Sequence, residues 1–183
     1  MRVRLKKTVV LVGMMGAGKT AVGKALAAKI GAPFLDSDAE ITEAANMTIP
    51  EIFERDGEAF FRKREREVLG RLLQSGICIL STGGGTFMSQ QNRDLIAQSA
   101  VSLCLDCDVN LLWNRVRHKT TRPLLQTNDP FGTLRQIYAR RAPIYALSDL
   151  TVGGEADRSI GAMTQKVLAA LRRHGTLEEK DDA

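Results

Sequence analysis

The sequence has few cysteines and few aromatic residues, and both shortages exclude kinds of protein. Its 183 residues include three cysteines (Cys78, Cys104 and Cys107), one tryptophan and 5% aromatic residues. An odd number of cysteines in a chain of this size argues against a disulfide framework and indicates a reducing compartment, so we expect a cytoplasmic protein. So few aromatic side chains also argue against a platform on which nucleic-acid bases stack.

Long hydrophobic runs are missing as well. No stretch of about 18 uninterrupted apolar residues occurs, so no transmembrane helix is predicted. The basic N-terminus followed by Val9–Met15 is similar to a secretory signal peptide, but Lys19 and Lys24 interrupt the apolar stretch. With 44% hydrophobic and 26% charged residues, the chain is predicted to form one globular domain that needs no disulfide or metal for its stability.

The formal net charge of +5 is unevenly distributed along the chain. Residues 115–141 contain seven basic side chains against the single Asp129. Residues 1–7 are also basic, whereas residues 178–182 are mainly acidic. A basic window of this kind predicts an anionic partner, which could be nucleic acid or a small phosphate or carboxylate.

Apolar, β-branched runs alternate with segments of helical periodicity. Thr8–Val12 is predicted to be a buried strand, and Lys19–Ile30 a helix that ends at Gly31. A later helix is predicted over Thr133–Arg141, ending before Pro143. Strands that alternate with helices predict βαβ units, and therefore an α/β sandwich with a buried parallel sheet.

The glycine-rich segment Gly13–Thr20 matches the pattern G-x-x-x-x-G-K-S/T, and it lies between that strand and that helix. Its backbone N–H groups are predicted to surround the phosphates of ATP or GTP. Lys19 would reach the β- and γ-phosphates, and the Thr20 hydroxyl would bind Mg²⁺. The sequence lacks the Asn/Thr-Lys-x-Asp motif of GTPases and is short for a helicase or motor. A small-molecule kinase is the remaining class.

Further segments are candidates for the binding site of the phosphate acceptor. They are Asp36-Ser37-Asp38, Arg62 with Glu65, Gly83-Gly84-Gly85, and the arginines Arg122 and Arg141. Acidic groups after a strand suit Mg²⁺ support and proton acceptance, and arginines suit phosphate or carboxylate. Taken singly, a helix N-cap, a solvated charged face and a flexible turn also explain the first three. The irregular segment of about residues 118–132 is predicted to be an active-site lid.

In their joint order and spacing, these segments resemble the shikimate kinase family over about residues 8–173. The segments Phe61-Arg62, Arg122-Pro123-Leu124-Leu125 and Arg141-Ala142-Pro143-Ile144-Tyr145 also carry the resemblance. The resemblance implies a nucleoside-monophosphate-kinase-like α/β/α sandwich, with five parallel strands in the order 2-3-1-4-5. It also implies transfer of the ATP γ-phosphate to the 3-hydroxyl of shikimate, giving ADP and shikimate 3-phosphate on the route to aromatic amino acids.

The resemblance also assigns roles to individual residues. Asp38 would be the base, with Lys19 and Arg122 as further catalytic groups. Thr20 and, through water, Asp36 would hold Mg²⁺, the implied cofactor. Arg115 would stack on adenine, and Ile160 stands where the family often carries a proline. The implied ATP-binding residues are Gly13, Met14, Met15, Gly16, Ala17, Gly18, Lys19, Thr20, Arg115 and Arg122, and the implied shikimate-binding residues are Asp38, Arg62, Gly83, Gly84, Gly85 and Arg141.

The family often ends near its last helix. Residues 1–7 and 175–183 are therefore expected to be disordered additions to a single domain of residues 8–174. The resemblance implies a monomer that binds ATP and shikimate, with no nucleic acid or membrane as partner. Two alternatives remain open, namely another kinase of the same fold, such as a gluconate kinase, and a nucleic-acid-binding NTPase.

Overall fold

A parallel sheet lies at the centre of the computed structural model, which describes residues 3–119, 122–154 and 159–179. Its strands are β2 (Thr8–Val12), β3 (Phe34–Asp36), β4 (Ile79–Ser81), β5 (Ala100–Cys107) and β6 (Leu150–Gly154). The spatial order is β3-β4-β2-β5-β6, which is 2-3-1-4-5 when these five strands alone are numbered, so the predicted order is confirmed. β2 and β4 are buried at every residue, as expected when helices cover both faces.

Helices surround the sheet and connect its strands. They are α1 (Lys19–Ile30), α2 (Ser37–Ala45), α3 (Ile49–Leu73), α4 (Gln90–Ser99), α5 (Val109–Val116), α6 (Pro130–Tyr145) and α7 (Ile160–His174), with short 3-10 turns at Thr86–Met88 and Pro123–Leu125. α1 packs on α7, and α4 packs on α3 and β5. Within the described residues, no helix has the length and apolar character needed to cross a membrane.

The direction of the strands decides where the site can form. Val10 of β2 pairs with Leu80 of β4 on one side and with Ser102 of β5 on the other, in parallel register. Parallel strands end at one common edge of the sheet. The segments that follow β2, β3 and β4 therefore meet there, and these are the segments that contain the phosphate loop, the two aspartates and the three glycines.

The chain ends form structure that was not predicted. β1 (Val3–Leu5) and β7 (Leu177–Glu179) pair as a two-stranded antiparallel sheet. Leu5 and Leu177 belong to the hydrophobic core, and Arg4 forms an ion pair with Glu178. The expected disorder is therefore wrong for these residues, because each end supplies an apolar side chain and strand hydrogen bonds that the other completes. Residues 1, 2 and 180–183 lie outside the described residues.

Helix α6 also differs from its prediction. It runs from Pro130 to Tyr145 and includes Pro143, whereas the sequence predicted an end before that proline. A proline within a helix loses one backbone hydrogen bond. Burial of Tyr145 and its hydrogen bond to the Gly84 carbonyl offset this loss and keep the last turn helical.

Candidate active site

The phosphate loop has the conformation that its glycines predict. Gly13, Gly16 and Gly18 have φ angles of 140°, 81° and 92°, which residues other than glycine rarely adopt. A Cβ atom at Gly13 would lie 2.7 Å from the carbonyl oxygen of Leu105. The loop therefore turns sharply between β2 and α1 and packs closely against β5, with the N-terminus of α1 at its end.

Lys19 lies at the centre of this loop. Its Nζ donates hydrogen bonds to the carbonyl oxygens of Gly13 and Met14, at 2.7 and 2.9 Å, and the residue is only 8% exposed. Burial lowers the pKa of Lys19 from 10.5 to about 8, while the nearby Asp38 carboxylate opposes the change. The side chain remains mainly protonated at neutral pH and supplies a positive charge inside the loop.

Thr20 and Asp36 form an oxygen pair beside the loop. The Thr20 hydroxyl donates to Asp36 Oδ2 at 2.9 Å, and Asp36 Oδ1 accepts from the backbone N–H groups of Asp38 and Ala39. Asp36 therefore caps α2, which confirms the N-cap interpretation of this segment. A hydroxyl and a carboxylate suit Mg²⁺, which is usually held by few protein oxygens together with phosphates and water. Among the described residues, no group of three or more His, Cys, Asp and Glu could hold a metal ion alone.

Asp38 lies in the first turn of α2 and faces the glycine-rich segment. A Cβ atom at Gly83 would be 2.8 Å from Asp38 Oδ1, so that glycine leaves space for the carboxylate. Burial, followed by the negative charges of Glu65 and Asp36, raises the pKa of Asp38 from 3.8 to about 6. Asp38 Oδ1 is buried and has no hydrogen-bond partner among the described residues. This oxygen is therefore available to a ligand.

Arg62 is held in place by Glu65. Its Nη1 donates to both Glu65 carboxylate oxygens, at 3.0 and 3.1 Å, and Glu65 is 1% exposed. The Thr86 hydroxyl donates to the same carboxylate at 2.8 Å. A Cβ atom at Gly85 would lie 2.5 Å from Arg62 Nη2. Gly85 therefore allows the guanidinium to lie directly against the backbone of the glycine-rich segment.

Arg141 and Tyr145 approach the same segment from α6. A Cβ atom at Gly84 would be 3.2 Å from Arg141 Nη1 and 3.4 Å from the backbone nitrogen of Met15. Tyr145 donates a hydrogen bond to the Gly84 carbonyl oxygen. The three glycines are thus enclosed by Asp38, Arg62 and Arg141, and the structure brings these predicted site residues together.

Two cavities meet at these residues. The larger, of about 530 Å³, extends along the phosphate loop and includes Lys19, Thr20, Asp36 and Arg115. The smaller, of about 100 Å³, includes Arg62, Gly85 and Arg141. Both are lined by Met15, Asp38, Gly83, Gly84 and Arg122. Within the part of the chain that the structure describes, Arg122 Nε is buried without a hydrogen-bond partner, at the junction of the two cavities.

The far end of the larger cavity is lined by Arg115, Ile160 and Met163. Arg115 donates a hydrogen bond to the Gly16 carbonyl oxygen at 3.0 Å, so its guanidinium lies against the outer side of the phosphate loop. Ile160 is 52% exposed and offers an apolar surface to the same cavity. Arg158, beside Ile160, and residues 120 and 121 of the predicted lid lie outside the described residues.

The sequence did not identify every side chain of the site. Ile49, Phe53 and Phe61 form an apolar wall of the smaller cavity, and Tyr145 binds the glycine-rich segment. The spacing of four residues between Arg141 and Tyr145 places both on one face of α6 and is the signal that could have identified Tyr145. No short sequence pattern marks the apolar wall, because its residues lie on both sides of the bend of α3 at Gly57.

Comparisons with known proteins agree with this geometry. A family model described as shikimate kinase matches residues 15–172. A shikimate kinase of Ruegeria pomeroyi is 61% identical over 167 residues, covering 91% of this chain and 86% of that protein. A shikimate kinase of Cereibacter sphaeroides is 55% identical over 180 residues, covering 98% and 89%. The solved structure of shikimate kinase from Acinetobacter baumannii in complex with shikimate has a TM-score of 0.86 and 38% identity, covering 92% of this chain and 94% of that one.

Proposed function

The chain belongs to the shikimate kinase family, and from this premise we propose that it transfers the γ-phosphate of ATP to the 3-hydroxyl of shikimate. The observation that carries the proposal is the common wall of the two cavities, where Asp38, Gly84 and Arg122 face both. Direct transfer requires donor and acceptor to be held in contact and in line. The product would be shikimate 3-phosphate, with ADP released.

We assign the larger cavity to ATP. The N–H groups of Gly13–Thr20 and the N-terminus of α1 bind phosphate oxygens, and Lys19 adds a positive charge next to them. Arg122 lines the same cavity as Lys19, so two cations are available to the transferring group. Arg115 and Ile160 enclose the space in which the adenine ring fits.

We assign Mg²⁺ to Thr20 and, through water, to Asp36. Both oxygens line the larger cavity, and their chemistry suits this ion. When bound, Mg²⁺ neutralises charge on the β- and γ-phosphates. The hydrogen bond between Thr20 and Asp36 holds the two oxygens in position before any ligand arrives.

The smaller cavity fits a cyclic acid with hydroxyl groups. Arg62 and Arg141 supply guanidinium groups for a carboxylate. Glu65 holds Arg62 through its bidentate pair, which fixes the direction of that guanidinium. The backbone of Gly83–Gly85 offers polar groups to the hydroxyls at close range, since no side chain stands between.

Asp38 is the proposed base of the reaction. Its pKa of about 6 leaves about nine in ten carboxylates ionised at neutral pH. Its Oδ1 can accept the hydrogen of the reacting hydroxyl and orient the oxygen towards the γ-phosphate. As the O–P bond forms, the proton passes to Asp38 and ADP leaves with the bridging oxygen.

The segment of about residues 118–132 is the proposed lid of a single catalytic domain of residues 8–174. Its Pro123 and Leu124 line the smaller cavity beside Arg122. At its base, the rings of Trp113 and Phe131 pack at a tilt of 45°, with centroids 5.3 Å apart. Closure of this segment would exclude water, which protects ATP from hydrolysis. We expect the protein to act as a monomer.

Gluconate is the alternative acceptor that shares a carboxylate with shikimate. The apolar wall of Ile49, Phe53 and Phe61 favours the partly apolar ring of shikimate over an open chain that carries a hydroxyl on almost every carbon. Nucleic acid is the less favoured partner, because Arg115, Lys119, Arg122 and Arg141 of the basic window line the two cavities. A small phosphate and a carboxylate account for the charge of these residues.

A coupled ADP-release assay tests the proposal. The purified protein, with ATP and Mg²⁺, is given shikimate, gluconate or a nucleoside monophosphate in parallel reactions. We expect ADP release that depends on shikimate, with less than about one-hundredth of the rate on the other two, which corresponds to about 2.7 kcal/mol of discrimination. Equal turnover with gluconate would refute the assignment of the acceptor.

A further inference from the structure

Tyr145 is a buried polar residue that the proposed reaction does not use. It is the last residue of α6 and is 5% exposed. Burial raises the pKa of its phenol to about 12, with the positive charge and hydrogen bonding of Arg141 acting in the opposite direction. The phenol therefore keeps its proton at every pH at which the enzyme could work, and it remains a hydrogen-bond donor.

The donated hydrogen bond goes to the Gly84 carbonyl oxygen, which belongs to the segment between the two cavities. A trans peptide unit is planar, with its C=O and N–H pointing in opposite directions, and the described residues contain no cis peptide. Tyr145 therefore fixes the plane of the Gly84–Gly85 peptide. As a consequence, the N–H of Gly85 points away from Tyr145. Gly85 itself lines the smaller cavity.

The same phenol lies next to Arg141. The two residues are one helical turn apart on α6, and the positive charge of Arg141 acts to lower the pKa of the phenol, against the effect of burial. Arg141 Nη1 also lies close to the backbone at Gly84. The hydroxyl that donates to the Gly84 carbonyl and the guanidinium of Arg141 thus meet at the same peptide.

We propose that Tyr145 is a positioning residue for the acceptor site, which orients the Arg141 guanidinium and the Gly84–Gly85 peptide together. The inference rests on the proposed function, because it assigns the acceptor's carboxylate to Arg141. Loss of the hydroxyl leaves the half-buried Gly84 carbonyl without this donor and lets Arg141 rotate. Binding of the acceptor is weakened, whereas the phosphate loop keeps its own contacts.

The variant Tyr145→Phe tests this role, because it should change the KM for shikimate much more than the KM for ATP. We expect the KM for shikimate to rise about 10-fold, as for the loss of one good hydrogen bond, and the KM for ATP to change less than about two-fold. Tyr138→Phe is the matched control, since the chain has two tyrosines and Tyr138 lies on the same helix outside both cavities. It should leave both KM values unchanged.

A double variant decides whether Tyr145 acts through Arg141. In an Arg141→Ala background, Tyr145→Phe should raise the KM for shikimate much less than it does alone, because coupled residues are not additive. An equal fold-change in both backgrounds would overturn the proposal. So would a parallel rise of both KM values in Tyr145→Phe, or no change in a folded variant. Absence of wild-type turnover with shikimate would refute the proposed function, and this inference with it.

A second measurement does not depend on the folding of Tyr145→Phe. Tyr138→Phe labelled with 3-fluorotyrosine carries a single ¹⁹F reporter, at position 145. Shikimate should shift this resonance, whereas a nucleoside monophosphate at the same concentration should leave it in place. A resonance that does not respond to shikimate would contradict contact between Tyr145 and the groups that bind the acceptor.

Discussion

Replacing Asp38 by asparagine should stabilise the ligand-free protein at neutral pH while removing its proposed base. Burial and the charges of Glu65 and Asp36 raise the pKa of Asp38 from 3.8 to about 6. A carboxyl group with a raised pKa binds its proton more tightly in the folded protein than in the unfolded chain. The protonated carboxyl therefore adds its full stabilising free energy below the pKa of the unfolded chain. This stabilisation is lost as the pH rises through about 6.

The size of the effect follows from the shift in the pKa. A shift of about 2 units at about 1.4 kcal/mol per unit gives about 3 kcal/mol, so ionised Asp38 lowers the free energy of unfolding by up to that amount at about pH 8. At about pH 4.5 the group is protonated when folded and mostly ionised when unfolded, and the same linkage gives about 1 kcal/mol. Asparagine cannot ionise, so the gain should decrease from about 3 to about 1 kcal/mol between these pH values.

Urea unfolding of wild type and Asp38→Asn at the two pH values measures this gain. In thermal unfolding, the gain near pH 8 should raise the Tm by about 6–12 °C for a chain of this length. Asp94→Asn is the matched control, because Asp94 is exposed on α4, and its effect should be small at both pH values. If Asp38→Asn is no more stable than wild type near pH 8, or if its gain in the free energy of unfolding does not change with pH, ionised Asp38 does not destabilise the folded protein.

The remaining predictions concern the glycine-rich segment, a helix and the paired chain ends. Gly85→Ala should displace the Arg62 guanidinium, which a Cβ would approach to 2.5 Å, and raise the KM for shikimate about 10-fold; unchanged kinetics would disprove the close packing. Gly70→Ala in α3 meets nothing within 4 Å, so it should leave the KM unchanged and add about 0.5–1 kcal/mol of stability in urea unfolding. Leu177→Ala should lower stability by about 2–3 kcal/mol, whereas Leu147→Ala, at 63% exposed, should have little effect; equal effects would show that the end strands contribute nothing.

The sequence predicted the parts of the fold that depend on local pattern. The strand at Thr8–Val12 and the helix at Lys19–Ile30 have the predicted bounds, because a β-branched run, a glycine-rich turn and a C-terminal glycine are all local signals. The strand order came from the resemblance to a family, since residue spacing alone does not say which strands are neighbours. The phosphate loop with Lys19 and Thr20 followed from a local motif, whereas the roles of individual residues in the acceptor site came from the resemblance.

Features that depend on contacts between distant residues were not predicted. The strand at Val3–Leu5 becomes stable only with a partner at Leu177–Glu179, since each segment alone is only three residues long. The helix continues past Pro143 because Tyr145 binds the Gly84 carbonyl, at a distance of 61 residues along the chain. The raised pKa of Asp38 likewise comes first from burial and then from the charge of Glu65, and only the fold supplies both.

The position of the new phosphate ester shows directly whether the protein phosphorylates the 3-hydroxyl of shikimate. Wild-type protein, ATP, Mg²⁺ and shikimate are incubated, and ³¹P and ¹H NMR locate the new phosphate ester, with Asp38→Asn in a parallel reaction. We expect a single ester at the 3-hydroxyl with wild type, and no ester with Asp38→Asn, although that variant still binds ATP. A phosphate on another hydroxyl, or the same ester formed at a similar rate by Asp38→Asn, would contradict this expectation.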